Sequence, residues 1–253
     1  MREIPILFSA PMVRAVLAGQ KTQTRCIIKL PTKTHSGRAI YERPDMGGWE
    51  PTTVGGSGCF TIGTRGEAVP EPEMAAIWHR TCGVTMAARW QIGDRLWVRE
   101  AWRAGIGYDG AKIADMNPGV TRIWYDADGQ SDGAGSKGRP SIHMPRWASR
   151  IMLTVTSVRV ERLQDISDAD AIAEGVPEEI DGSIGDEIYC RNCGGHGTHG
   201  ALGANLGVIE VDCLECDTAT KRYRNLWTRI NGPGSWDANP WVWVIEFQRE
   251  TRP

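Results

Sequence analysis

The sequence predicts an α+β fold: a small β-barrel with peripheral helices, a long irregular insertion and an inserted four-cysteine zinc ribbon. Three observations predict the barrel. Short alternating stretches outnumber helical ones, two helical patterns are interspersed among them, and one alternation slips by a residue as a bulged barrel strand does. In chain order, Ile4 to Phe8 reads as a short strand. Ser9 offers a cap to a helix with Pro11 in its first turn and Gly19 at its end. Lys21 to Lys29 follows as a polar loop running into a strand. From about residue 31 to 90 glycines are frequent and periodicity is weak, so this stretch reads as the insertion.

Gly93-Asp94 forms a turn that launches a strand from Arg95 to Trp102, with Leu96 and Val98 alternating against Trp97 and Arg99. A further strand is expected at Thr121 to Tyr125. Ile151, Leu153 and Val155 alternate, then Val158 and Val160 continue one residue out of step, which predicts a bulge near Thr156-Ser157. Ser167 to Gly175 carries helix punctuation at both ends. Tyr223, Leu226, Trp227 and Ile230 fall at helical spacing, and Gly232-Pro233-Gly234 stops that helix near Asn231. Trp241, Trp243, Ile245 and Phe247 alternate with Val242, Val244 and Glu246 as a closing strand buried on both faces, with Trp241 and Trp243 in the core.

The chain of 253 residues is expected to form one domain, with the ribbon inserted at about 186–218. A formal net charge of −2 announces no broad nucleic-acid surface, so any phosphate-binding region must be a local patch. The longest apolar runs are too short to cross a membrane, and the N-terminus does not read as a signal peptide. A cytoplasmic protein without a membrane partner is the expectation.

Seven cysteines, an odd number, argue against a complete disulfide framework. Four of them form Cys190-Arg-Asn-Cys193 and Cys213-Leu-Glu-Cys216, 19 residues apart. Two such pairs each supply two thiolates to one tetrahedral ion, and Gly194-Gly195 eases the sharp turn after the first. A structural Zn²⁺ is therefore predicted on Cys190, Cys193, Cys213 and Cys216. His196 and His199 are substitute ligands if one thiolate is missing. A full Cys₄ shell leaves no position for a reacting water. Cys59, His79 and Cys82 make a weaker second group to check for metal.

The run Leu17-Ala-Gly-Gln-Lys-Thr-Gln-Thr-Arg25 resembles the signature of the ASCH family, a helix ending in Gly followed by K-T-x-T. Gly93-Asp94-Arg-Leu-Trp-Val resembles the family's G-D-x-L-x-V strand, Ala171-Ile-Ala-Glu-Gly175 its A-x-x-E-G helix, and Trp241 to Phe247 its closing strand. His143-Met-Pro-Arg-Trp-Ala-Ser-Arg150 and Asn231 to Asn239 look like a phage- and prophage-encoded branch, which implies a bacterial host cytoplasm. The resemblance implies a PUA-like barrel and a nucleoside or RNA partner. Small bacterial members remove the acyl group from N4-acetylcytidine, and their proposed machinery falls here on Lys21, Thr24 and Glu174. In that scheme Thr24 attacks once a base takes its proton, Lys21 is that base, and Glu174 orients Lys21 or protonates the leaving amine. Another branch is described as ribonucleolytic.

Substrate contacts are expected from Arg25 in the same loop, from Arg99 and Glu100, and from the cationic-aromatic group His143, Arg146 and Trp147. Trp236 and Asn239, in a Gly- and Pro-rich loop, complete the set. Two functions from different classes follow: an amidohydrolase acting on an N4-acylated cytidine, or a non-catalytic module binding RNA or modified nucleic acid with the zinc ribbon as an added contact. A ribonuclease ranks third, because no paired histidines or acidic metal cluster are present.

Overall fold

The computed structural model describes residues 1–40, 48–129, 136–178, 190, 192–194, 196–202 and 208–250. In chain order it begins with β1 (Glu3–Leu7), α1 (Ala10–Leu17) and β2 (Gln23–Ile27). Five strands follow: β3 (Trp49–Val54), β4 (Phe60–Ile62), β5 (Ala68–Pro70), β6 (Met74–His79) and β7 (Thr85–Ala87). Then come β8 (Arg95–Arg99), β9 (Trp102–Ala104), β10 (Ile123–Tyr125), β11 (Met152–Arg162) and α2 (Asp168–Ala173). The last elements are β12 (Thr198–Leu202), β13 (Val208–Asp212), α3 (Ala219–Asn231) and β14 (Trp241–Arg249).

The main sheet has five strands in the order β1-β8-β11-β14-β2, with β1 parallel to β8 and the other pairs antiparallel. The α+β class agrees with the sequence. Closure does not: among the described residues β1 and β2 are open edges, so the sheet is not a closed barrel. Both edges are five residues long, and no ladder pairs one with the other among the described residues. The bulge in β11 is present, with the register against β14 shifting between Val155 and Ser157. The strand expected from Arg95 to Trp102 is broken at Glu100 and Ala101 into β8 and β9.

Alternation directs each face of β14 into a different core. Trp243, Ile245 and Phe247 join β1, α1, β8 and β11 in the first core, while Val242 and Val244 meet α2 and α3 in the second. A third cluster forms around Trp102, Met144 and Ala148, with Trp147 packed against it. Residues 49–90 are not irregular as the sequence suggests. They form a three-stranded sheet β3-β6-β7 and a small β4-β5 ladder, and Trp49 and Ile77 enter the first core. Strands of three to six residues carry too few alternations to stand out from a Gly-rich background. Pro51 and Pro70 sit on the edge strands β3 and β5, where a missing N–H breaks no interior ladder.

Candidate functional site

The four cysteines sit at the two ends of one hairpin. β12 pairs with β13 from Thr198↔Asp212 to Leu202↔Val208, so the strand pairing brings the two cysteine turns side by side. The Gly194 N–H donates to the Cys190 carbonyl at 2.7 Å, and the Cys213 N–H to the Gly197 carbonyl at 2.7 Å. All four thiols are buried, and their sulfurs lie within 4.8 Å of one another. Cys190 and Cys213 are 3.6 Å apart, Cys193 and Cys216 3.5 Å. Zn–S bonds of about 2.3 Å in a tetrahedron set sulfurs roughly 3.8 Å apart. The set therefore fits a metal ion such as zinc. His196 and His199 stand outside the group, and His199 Nδ1 lies 3.4 Å from the Asn192 amide instead.

N–H groups aimed at the sulfurs favour thiolates. Gly197 N–H donates to Cys193 Sγ at 3.3 Å, and the Asn192 amide to Cys213 Sγ at 3.4 Å. Burial opposes ionisation of Cys213, but the bonds from Asn192, from the Glu215 backbone and from the neighbouring thiols bring it down to about 7. Arg222, itself buried, ties this centre to α3. Its Nη1 donates to the carbonyls of Cys216 (2.9 Å) and Asp217 (3.2 Å), and its Nη2 to that of Glu178 (2.8 Å). Cys59 and Cys82 are exposed, and His79 is buried with its Nδ1 at 3.1 Å from the Thr81 hydroxyl. Among the described residues these three form no metal-binding group.

A second polar centre lies where the Lys21 loop meets α2. The Thr22 N–H donates to the Ala173 carbonyl and the Phe247 N–H to the Thr22 carbonyl, both at 2.8 Å, clamping the loop between α2 and β14. Gly175 makes the approach possible. Its φ is +93°, and a Cβ there would sit 2.9 Å from Ala15 Cβ and 3.2 Å from Lys21 Cβ. Lys21 Nζ donates to Glu174 Oε2 (2.7 Å), the Glu174 carbonyl (2.9 Å) and the Gln23 carbonyl (2.8 Å). An ammonium has three donors, so all are engaged. Arg25 reaches Glu174 (3.3 Å), Glu161 (3.1 Å) and Asp170 (3.4 Å), and Arg159 bonds Asp170, Glu161 and Glu246.

Lys21 and Glu174 thus converge as the resemblance implies. Thr24 does not join them. It pairs with Ile245 on the first-core face of β2, whereas Gln23 and Arg25 face α2, and none of the hydrogen bonds of Lys21 goes to its hydroxyl. Burial, with the Glu174 charge, pushes the thiol of Cys26, on the same strand, up to about 11, which disfavours its thiolate. Gln23, Arg159, Glu161 and Asp170 are members that sequence reasoning missed. Their signal was there in the strand period, since Arg159 and Glu161 are two apart on β11 and share a face.

The remaining candidates form two further groups. On the outer face of β8, the Arg99 guanidinium lies 5.3 Å from the Trp97 ring centre and that of Arg146 5.9 Å. Pro5 and Leu7 pair beside Trp97 and Arg99, adding an apolar floor, with Leu7 exposed. Arg99 also donates to the Ile142 carbonyl, next to the exposed His143. Trp97 is the member the sequence did not single out. Elsewhere, Glu100 is buried and bound by Arg150 through two 3.0 Å contacts, and burial outweighs that pairing to raise its pKa. Trp147 stands edge-on to Trp102 in the third cluster. Asn239 is a turn residue with φ of 41°, and its Oδ1 accepts from the Gln164 N–H at 2.9 Å. Glu100, Trp147 and Asn239 therefore have structural partners apart from the Lys21 cluster, and Trp236 packs on Tyr223.

Among the described residues no helix is long and apolar enough to cross a membrane. No protein-family model, curated protein or solved structure matches the chain.

Proposed function

We propose that the chain is an ASCH-type, PUA-like protein that binds RNA or a nucleoside base on the outer face of β8. The observation that carries this reading is the partly exposed Trp97 ring with the guanidiniums of Arg99 and Arg146 5.3 and 5.9 Å from its centre. A flat ring beside two cations offers a base a stacking surface and its phosphate a counter-charge. Family membership is supported separately. The Lys21 run and the Ala171–Gly175 segment, two of the stretches on which the resemblance rests, meet through Lys21 and Glu174 at 2.7 Å.

Hydrolysis of an N4-acylated cytidine is the second reading, favoured by that same contact, which suits a base held by its orienting carboxylate. Binding ranks first because the contacts of the buried Lys21 Nζ go to Glu174 and to the Gln23 carbonyl, and none goes to the Thr24 hydroxyl.

One experiment separates them. The protein is titrated with a fluorescent single-stranded RNA at low salt and, in parallel, incubated with N4-acetylcytidine. Stacking on one aromatic is worth about 1–3 kcal/mol, so Trp97→Ala weakens RNA binding by about 5- to 160-fold. Cytidine is not released. Absence of RNA binding at low salt overturns the proposal, and cytidine release that Thr24→Ala abolishes establishes hydrolysis instead.

A further inference from the structure

A second site adjoins the metal centre. A cleft of about 850 Å³ lies between the cysteine turns, the outer side of α3 and the loop after it, walled by Asn192, Glu215, Arg224, Arg229, Trp236 and Asp237. That volume falls in the range of small-molecule sites. We infer that this cleft binds one nucleotide, with its base against Trp236, its phosphate on Arg229, and a sugar hydroxyl or base amino group on Asp237.

Each part follows from the wall that supplies it. Trp236 is a fixed surface: it stands edge-on to the buried Tyr223 at 6.3 Å, and its carbonyl accepts from the Gln164 side chain at 2.9 Å. A ring held in place loses little freedom when a base stacks on it. Arg224 and Arg229 both line the cleft from α3 but differ in commitment. Arg224 is paired with Glu215 at 2.8 Å, whereas Arg229 is exposed and makes no ion pair among the described residues.

One uncommitted guanidinium suits one phosphate, which it can hold through two parallel N–H bonds. Glu215 and Asp237 repel a second phosphate and accept hydrogen bonds from neutral donors, so the chemistry selects a monophosphate over a polyphosphate. The Arg224–Glu215 pair also joins α3 to the second cysteine turn, and Cys190 itself lines the cleft. The shape of the site thus depends on the metal-held turns. It shares no residue with the Trp97 face, and the two stand or fall separately.

The test uses the full chain loaded with zinc. Cytidine monophosphate, adenosine monophosphate, their nucleosides and a short single-stranded RNA are each titrated by calorimetry, against wild type and Arg229→Glu. Arg229 is exposed, so its replacement leaves the fold intact, which an unchanged melting temperature verifies. The monophosphates bind, the nucleosides bind at least tenfold more weakly, Arg229→Glu loses at least tenfold in affinity, and chelating the metal releases the ligand. Binding of the monophosphates marks a free nucleotide as the ligand; binding of the RNA alone, still sensitive to Arg229→Glu, marks one unit of a strand. Absence of both at millimolar ligand, or binding indifferent to Arg229→Glu, overturns the inference.

Discussion

Asp94 shows at the residue scale how a motif position can be legible while its role is not. The Gly93-Asp94 pair is readable as a turn before a strand, yet the sequence does not reveal that Asp94 fastens β8 to the start of β1. Its carboxylate accepts from the Arg2 side chain, from the Arg2 backbone N–H at 3.1 Å and from the Gln91 N–H at 3.0 Å. Burial opposes its ionisation, but these bonds outweigh it and hold its pKa below the usual carboxylate range. With the folded pKa below the unfolded value of about 3.9, the stabilisation is present above that pH and lost as pH falls through the folded value. Charged hydrogen bonds of this kind contribute about 1.5–3 kcal/mol. Asp94→Asn is thus expected to lower stability by that order at pH 7 and to flatten its decline as pH falls below about 4. Urea unfolding across that range measures both, and an unchanged acid profile would contradict the assignment. The Lys21 cluster teaches the same lesson. The sequence singles out Lys21, Arg25 and Glu174, but only the fold reveals Asp170 and Glu161 around them.

At the scale of elements, legibility follows the physics of the signal. Cysteine spacing is read directly because one ion constrains four residues at fixed separation, and the sulfurs are gathered accordingly. The sheet of β3, β6 and β7 escapes because its strands are short. The ribbon hairpin differs from both. Leu202, Val208 and Ile209 point to solvent, so β12 and β13 have no apolar core of their own, and the four cysteines form an isolated buried cluster. A metal ion held by the four cysteines would then be the main source of order there, and Arg222, bonded to the carbonyls of Cys216 and Asp217, would link it to α3. Chelation is expected to expose the amides of 198–202 and 208–212 to hydrogen exchange while those of β11 and β14 stay protected. Simultaneous loss of protection in β11 would mean that the ribbon and the central sheet form one cooperative unit.

At the scale of the whole molecule, β14 organises the fold by giving one face to each of two cores, which its unbroken apolar run already suggested. Barrel closure was not legible, because it depends on where edge strands find partners rather than on any alternation within them. Charge is likewise a global property with a local consequence. The chain carries 29 basic and 31 acidic residues, and the cations near Trp97 are partly spent: Arg146 pairs with Glu3, and Arg95 with Glu3 and Glu250. Arg99 is the least committed, since it meets only a carbonyl and a ring. On the proposed RNA-binding reading, the Trp97 face would neutralise few phosphates, roughly one to three. Counterion release from single strands gives a slope of about −0.7 per phosphate, so log K against log salt should fall with a slope of about −0.7 to −2. Under that proposal stacking would supply most of the affinity, and binding is expected to persist at salt concentrations that dissociate broadly basic proteins. A measured slope steeper than about −4 would require a wide basic surface, and would move the RNA contact away from Trp97.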